Sequence, residues 1–153
     1  VSANYDVTKR LELRLSYKWQ DVRSTINGTL QRQPYVAKNK MFANLAYESK
    51  SGKWKFDGTL IRTDQARLPN SSERPEQYQW AEYSDAFYRI NAQVTRDFGD
   101  LEIYLGGENL TNYRQKNPII GVDNPFGKDF DAANVWAPIY GRMIYTGLRF
   151  SFI

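Results

Sequence analysis

Apolar and polar residues alternate with a period of two along much of this chain. Between Leu11 and Gln20 every second residue is apolar, and every residue between them is polar or charged. On a helix these apolar side chains would scatter around the axis, whereas on a strand they lie together on one face. The segment therefore predicts a β-strand with one apolar face and one polar face.

The same alternation recurs along the chain and predicts an all-β, antiparallel fold of about seven long strands. The expected strands cover residues 2–8, 11–24, 35–48, 53–65, 85–97, 101–114 and 139–152. No stretch has helical periodicity of useful length, so we expect no significant helix. The 6 prolines lie between these strands or at their starts, where a missing N–H does least damage to a sheet.

The predicted connections alternate between short and long. The short ones cover residues 8–10, 49–52 and 98–100, and the long ones cover 25–34, 66–84 and 115–138. Short turns at one rim and long loops at the other are typical of up-and-down transmembrane β-barrels, whose short turns are periplasmic and whose long loops are external. We therefore predict a transmembrane β-barrel segment.

The length of the predicted strands favours the same interpretation. Several reach about 12–14 residues, whereas strands of soluble proteins usually have about 5–6. A tilted transmembrane strand needs about 9–11 residues. The alternative is a soluble, lipocalin-like barrel with long hairpins, and the detergent dependence of the full-length protein would distinguish the two.

Aromatic residues on the apolar face cluster toward the strand ends. Tyr17, Trp19, Tyr88 and Tyr140 lie near the long loops, and Tyr47, Trp54 and Phe152 lie near the short turns. Amphipathic rings prefer the two membrane–water interfaces, so these residues predict two aromatic girdles. Ordinary cross-strand packing of aromatic side chains is the alternative.

Composition and charge exclude several function classes. The chain has 153 residues, of which 41% are apolar and 15% aromatic, and its mean hydropathy is −0.66, as expected for strands apolar on one face only. It has no Cys and no His, which excludes Ser-His-Asp catalysis and thiolate or imidazole metal sites. We expect no catalytic residue, metal or cofactor, and no enzyme. The net charge of +4 is spread along the chain, so we expect no nucleic-acid partner.

Two segments near the C-terminal end carry a family resemblance. Residues 106–113 read GGENLTNY, and residues 140–152 contain YGR followed by YTGLRFSF. The first is similar to the Asn-Leu motif in the penultimate strand of TonB-dependent outer-membrane receptors, and the second resembles their closing strand. The family usually ends on an aromatic residue, whereas here Phe152 is followed by Ile153.

The resemblance implies that residues 1–153 form the C-terminal portion of a barrel of about 22 strands in the bacterial outer membrane. The plug domain and the earlier strands would belong to the rest of the parent protein. The implied partners are outer-membrane lipid, the plug domain, the remaining strands, and a TonB-type energy-transducing protein that contacts the N-terminal part. The implied function is energy-dependent uptake of a scarce nutrient, such as a ferric siderophore, cobalamin or a glycan.

The number of predicted strands bears on whether the chain is a fragment. Complete bacterial barrels have an even number of strands and begin and end in the periplasm. Seven strands, together with the absence of a signal peptide at the start, predict a fragment that begins within an external loop. If one strand has been missed, the chain is instead a complete eight-stranded barrel with a structural or adhesion role.

Candidate ligand contacts come from the long loops, because loops on a rigid scaffold often carry function. The candidates are Arg67, Tyr78, Trp80, Asn117 and Asp123. Their alternative role is to pack the loops together.

Overall fold

The structure is a computed structural model that describes residues 1–152, and its regular structure is almost entirely β. The strands are β1 (Ser2–Thr8), β2 (Leu11–Trp19), β3 (Arg23–Ile26), β4 (Thr29–Arg32), β5 (Asn39–Glu48), β6 (Trp54–Thr63), β7 (Phe87–Asp97), β8 (Leu101–Glu108) and β9 (Met143–Phe150). A single turn of 3-10 helix covers Glu76–Tyr78. In the described part of the chain, no helix is long and apolar enough to cross a membrane.

Seven of the strands form one antiparallel sheet in the order β1-β2-β5-β6-β7-β8-β9. Every neighbouring pair is antiparallel, which confirms the predicted all-β, up-and-down arrangement. Within residues 1–152, β1 and β9 do not pair with each other, so the sheet is open and not closed into a barrel. The final residue, Ile153, stands where the family usually has an aromatic residue, and it lies outside the described residues.

Several predicted strand ends were wrong, since the strands are shorter than predicted. The longest is β7 with 11 residues, and β2 stops at Trp19 instead of continuing to residue 24. Similarly, β8 ends at Glu108, because Asn109 takes a left-handed conformation with φ 49° and begins a tight turn. The seven strands of the main sheet therefore have 7–11 residues, instead of the 12–14 predicted for several of them.

The predicted loop at residues 25–34 was also wrong, because it contains part of a hairpin. Strands β3 and β4 pair with each other as a separate two-stranded sheet. Asn27 and Gly28 have φ of 50° and 77°, the left-handed conformation that a two-residue hairpin turn requires. The Asn-Gly pair was the available sequence signal.

The register places alternating residues of all seven strands on two distinct faces. Across the sheet Leu15, Ala43, Leu60 and Ile90 lie in one row, so the apolar residues of neighbouring strands share a face. Nothing in the described chain covers this apolar face: Leu60 is 42% exposed. Among the described residues, the fold thus leaves this apolar face open.

The small buried core lies at the end of the sheet where the long connections are. The buried apolar residues are Ala37, Ala66, Leu68, Phe87 and Ile120. They belong to the long connections or to the adjoining first residue of β7. The interior of the described protein is therefore formed by its loops.

Candidate functional site

The two longest connections pack against each other at the long-loop end of the sheet. We call residues 64–86, between β6 and β7, the first loop, and residues 109–142, between β8 and β9, the second loop. Phe87 stacks on Tyr113 of the second loop with ring centroids 4.8 Å apart, and Trp136 lies 6.2 Å from the Phe87 ring. This aromatic cluster fixes the second loop on the polar side of the sheet.

Buried amide side chains hold the second loop in one conformation. The Gln115 side chain donates through Nε2 to the Asn134 carbonyl oxygen, and its Oε1 accepts from the backbone N–H of Trp136 at 2.8 Å. The Tyr35 hydroxyl donates to Oδ1 of Asn134 at 3.1 Å. Because buried polar groups are costly unless they are hydrogen-bonded, these satisfied amides select one loop arrangement.

A cavity of about 420 Å³ lies between the two loops. This volume is in the range of small-molecule sites, about 300–1,000 Å³. The lining combines aromatic rings, uncharged amides and a few charged groups. The rings are those of Tyr78, Trp80, Tyr83 and Trp136. The charged side chains are those of Lys116, Asp85 and Asp123.

The structure brings four of the five predicted ligand residues together. Tyr78, Trp80, Asn117 and Asp123 all line this cavity. Arg67 lines a neighbouring cavity of about 340 Å³, which also contacts Trp80, and its guanidinium donates to the carbonyl oxygen of residue 32 at 3.4 Å. Their role in ligand binding stays a prediction.

Sequence reasoning missed other residues of the cavity. Tyr83 and Trp136 supply two of the four rings, and Gln77 and Lys116 add polar groups. The rings could have been selected by the rule that identified Trp80, since they are large aromatic residues in long connections. That Gln77 and Lys116 line the cavity follows only from how the two loops fold.

A hydrogen bond across the cavity joins the two loops. The Tyr78 hydroxyl donates to Oδ2 of Asp123 at 2.6 Å. This hydrogen bond to the carboxylate raises the pKa of the Tyr78 hydroxyl, because a phenolate there would lose the bond and face a second negative charge. Tyr78 therefore stays a hydrogen-bond donor at neutral pH.

A second set of contacts fixes Trp80. Its indole N–H donates to the Pro69 carbonyl oxygen at 2.8 Å, and the Arg74 guanidinium lies 5.0 Å from its ring centroid. Arg74 in turn donates to Oδ2 of Asp131 at 2.8 Å and to the carbonyl oxygen of Asp129 at 2.9 Å. The ring that lines the cavity is thus held in a defined orientation.

The predicted girdle residues lie at the ends of the sheet. On the apolar face, Tyr17, Trp19 and Tyr88 lie toward the long loops, and Tyr47 and Trp54 lie toward the short turns. Tyr140 belongs to the second loop, and Phe152 follows β9, with its ring centroid 4.8 Å from that of Phe150. All seven side chains are exposed, Tyr17 at 41% and Phe152 at 89%.

Cationic side chains accompany the rings at both ends of the apolar face. At the long-loop end, the Lys38 ammonium lies 6.0 Å from the Trp19 ring centroid, and at the short-turn end the Arg96 guanidinium lies 4.7 Å from that of Trp54. The middle of this face, by contrast, carries aliphatic side chains such as Leu45.

The polar face of the sheet carries charges that pair with one another. The Glu102 carboxylate accepts from Lys55 Nζ at 2.9 Å and from the Arg149 guanidinium at 2.8 Å. Asn44 donates to Oδ2 of Asp57 at 2.9 Å. Within residues 1–152, no group of three or more potential metal-ligating side chains is placed to hold an ion.

No family model, curated protein or solved structure matches this chain.

Proposed function

We propose that this chain is an arc of a transmembrane β-barrel in the bacterial outer membrane, and that the parent protein is a receptor for energy-dependent uptake of a scarce nutrient. The observation that carries the proposal is the uncovered apolar face, which extends across all seven strands. Burying apolar surface is favourable by about 25 cal/mol per Å², so a face of this extent requires a cover. In this proposal, membrane lipid covers the apolar face.

The ends of the apolar face support lipid as the cover. Rings such as Trp19 and Trp54 lie at opposite ends, each accompanied by a cation, with aliphatic residues between them. Aromatic and basic side chains prefer the headgroup region, whereas aliphatic side chains prefer the hydrocarbon core. Taken over β2, β5, β6 and β7, the order of side chains from one end of the face to the other matches the order of layers in a bilayer.

The two open edges of the sheet support an arc of a larger barrel. The outer edges of β1 and β9 have no strand partner among residues 1–152. In lipid each unsatisfied backbone group costs several kcal/mol, so a membrane sheet must close. Further strands of the parent protein would satisfy both edges.

The receptor part of the proposal rests on the loops and on the resemblance described above. The Asn-Leu motif has a structural role: Nδ2 of Asn109 donates to the carbonyl oxygens of Tyr113 and Tyr140 at 2.8 and 3.1 Å. This side chain ties the end of β8 to the segment that leads into β9. The motif thereby anchors a loop that lines a ligand-sized cavity.

The alternative of a complete eight-stranded barrel has no comparable support. The strands missing from the sequence prediction, β3 and β4, form a separate hairpin and do not extend the main sheet. A closed small barrel would also need β1 to pair with β9, and no such pairing is present in the described part of the chain.

The membrane part is tested with single-cysteine variants of the full-length parent, since this chain contributes no native cysteine. Leu45→Cys and Ala46→Cys are matched neighbours on opposite faces of β5. A spin label at residue 45 should be relaxed by lipid-soluble oxygen, and a label at residue 46 by a water-soluble nickel chelate. Equal access of the nickel chelate to both labels would reject a lipid-facing sheet.

The receptor part is tested by deleting the gene and measuring growth under three separate limitations. These are iron held by a chelator, dependence on added cobalamin, and a glycan as the only carbon source. A growth defect under one condition, restored by the intact gene, is expected. Normal growth under all three, in cells whose wild-type outer membrane contains the protein, would contradict nutrient uptake.

A further inference from the structure

The net charge of the two loops disfavours an anionic ligand. The first loop has five carboxylates and two arginines, and the second loop has three carboxylates and four cations, which gives the pair a net charge of −2. The whole chain has a charge of +4. Among the described residues that line the cavity, Lys116 is the one cation, and two carboxylates, those of Asp85 and Asp123, also line it. Recognition of an anion would require an excess of cations.

The aromatic rings of the cavity suit a ligand that has flat C–H faces. Trp80 and Tyr83 come from the first loop and Trp136 from the second, so rings line the cavity from both loops. An aromatic ring is negative on its face and attracts the slightly positive C–H bonds of a partner. A pyranose ring presents such C–H bonds on its faces and hydroxyl groups around its edge.

The polar groups of the cavity suit the hydroxyl edge of the same ligand. Gln77 and Asn117 are exposed: the Asn117 side chain forms no hydrogen bond within residues 1–152, and the Gln77 amide lies close enough to the neighbouring Tyr78 hydroxyl to donate to it. An amide offers both a donor and an acceptor, as a sugar hydroxyl does. By contrast, Gln115 and Asn134 are buried and already bonded, so they shape the cavity.

We propose that the cavity between the two loops binds a neutral oligosaccharide. The inference rests on the proposed receptor function and names its substrate class. A purely apolar ligand would leave the exposed amide of Asn117 without a hydrogen-bond partner, and an anionic metal chelate would face a net negative charge. Rings, uncharged amides and little positive charge together match a neutral sugar.

The binding test uses the full-length parent in detergent and follows tryptophan fluorescence. The probes are neutral hexasaccharides of α- and β-linked glucose, xylose, mannose and galactose. The comparators are a galacturonate hexasaccharide, an iron–tricatecholate chelate and mixed hexapeptides. We expect saturable binding of at least one neutral probe and none of the comparators. No neutral binding up to millimolar concentration, or binding of comparators alone, would overturn the inference.

Substitutions of cavity residues test whether the fluorescence change comes from binding in this cavity. Trp80→Ala should weaken neutral-sugar binding at least about tenfold, or about 1.4 kcal/mol, whereas Trp80→Phe should retain most of it. Gln77→Ala, at an exposed side chain, should weaken binding about threefold or more without affecting the fold. Glu73→Gln is the matched control, because Glu73 is in the first loop and does not line the cavity. Unchanged affinity in both Trp80→Ala and Gln77→Ala would overturn the assignment.

The outcomes separate this inference from the proposed function. If the label at residue 45 is lipid-exposed but no neutral sugar binds, only the substrate class fails. If a neutral sugar binds while the labels report no membrane insertion, the binding cavity stands and the membrane receptor fails.

Discussion

Tyr145 of β9 lies over Gly106, its cross-strand partner in β8. A Cβ built at residue 106 would collide with the ring of Tyr145, whose hydroxyl donates to Oε1 of Gln93 at 3.1 Å. The neighbouring pair repeats the arrangement in reverse, since Tyr104 of β8 lies over Gly147 of β9. Two tyrosines thus fill the space that two glycines leave open.

We predict that Gly106→Ala destabilises the β8–β9 pair by about 0.5–1.5 kcal/mol, because the exposed ring of Tyr145 must move and its hydrogen bond to Gln93 is lost. The measurement is urea unfolding of the full-length parent, followed by tryptophan fluorescence. Gly58→Ala is the matched control, because Gly58 lies in the same sheet with nothing within 4 Å of its built Cβ. An equal loss of stability in both variants would contradict the predicted collision.

Asn109 provides a second prediction. It is 6% exposed, and its side chain bonds to the carbonyl oxygens of Tyr113 and Tyr140 and accepts from the Tyr113 N–H at 3.2 Å. Asn109→Ala should cost about 2–3 kcal/mol, because buried backbone groups lose their partners. Asn109→Asp keeps the acceptor but places a carboxylate oxygen against the two carbonyl oxygens at a buried position, so we expect a loss at least as large. The midpoints of urea unfolding rank the stabilities of the two variants. An Asn109→Ala variant as stable as wild type would contradict the structural role of this side chain.

The Arg74–Asp131 ion pair should control how tightly the two loops close. Arg74→Ala removes this pair, the bond to the Asp129 carbonyl oxygen and the contact with the Trp80 ring. Hydrogen exchange in both loops should rise about tenfold or more, while exchange in β5 and β6 stays unchanged. Arg74→Lys keeps the charge but not the planar guanidinium, so an intermediate result is expected. Equal exchange in wild type and Arg74→Ala would rule out this closure.

The Tyr78–Asp123 bond predicts a dependence on alkaline pH. The folded pKa of Tyr78 is raised, so its contribution is complete below the ordinary tyrosine pKa of about 10 and is lost as pH rises through the raised value. Trp80 fluorescence, from the same cavity, should therefore change in strongly alkaline solution. Subtracting the titration curve of the Tyr78→Phe variant removes the contribution of the other tyrosines to the fluorescence change. No difference between the two titrations above pH 10 would contradict the prediction.

The sequence determined the two faces of the sheet, because alternation along a strand is a local property. Leu11 to Trp19 showed which side chains share a face, and the register then aligned them with those of β5. The turn at Asn27-Gly28 was equally local, and its hairpin could have been predicted from the left-handed preference of those two residues. The ends of β2 and β8 could also have been placed better, because the alternation stops there. The next positions on the apolar face are Asp21 and Arg23 after β2, and Asn109 and Thr111 after β8.

Tertiary structure alone decided the candidate site. Tyr78 and Asp123 are 45 residues apart, and Arg74 and Asp131 are 57 apart, so no spacing in the sequence joins them. Their contacts depend on how two irregular loops pack, which is set by buried amides and by the ring cluster around Phe87. The sequence could select aromatic loop residues as candidates, but only the packed loops place Trp80 and Trp136 around one cavity, because that packing depends on contacts between distant parts of the chain.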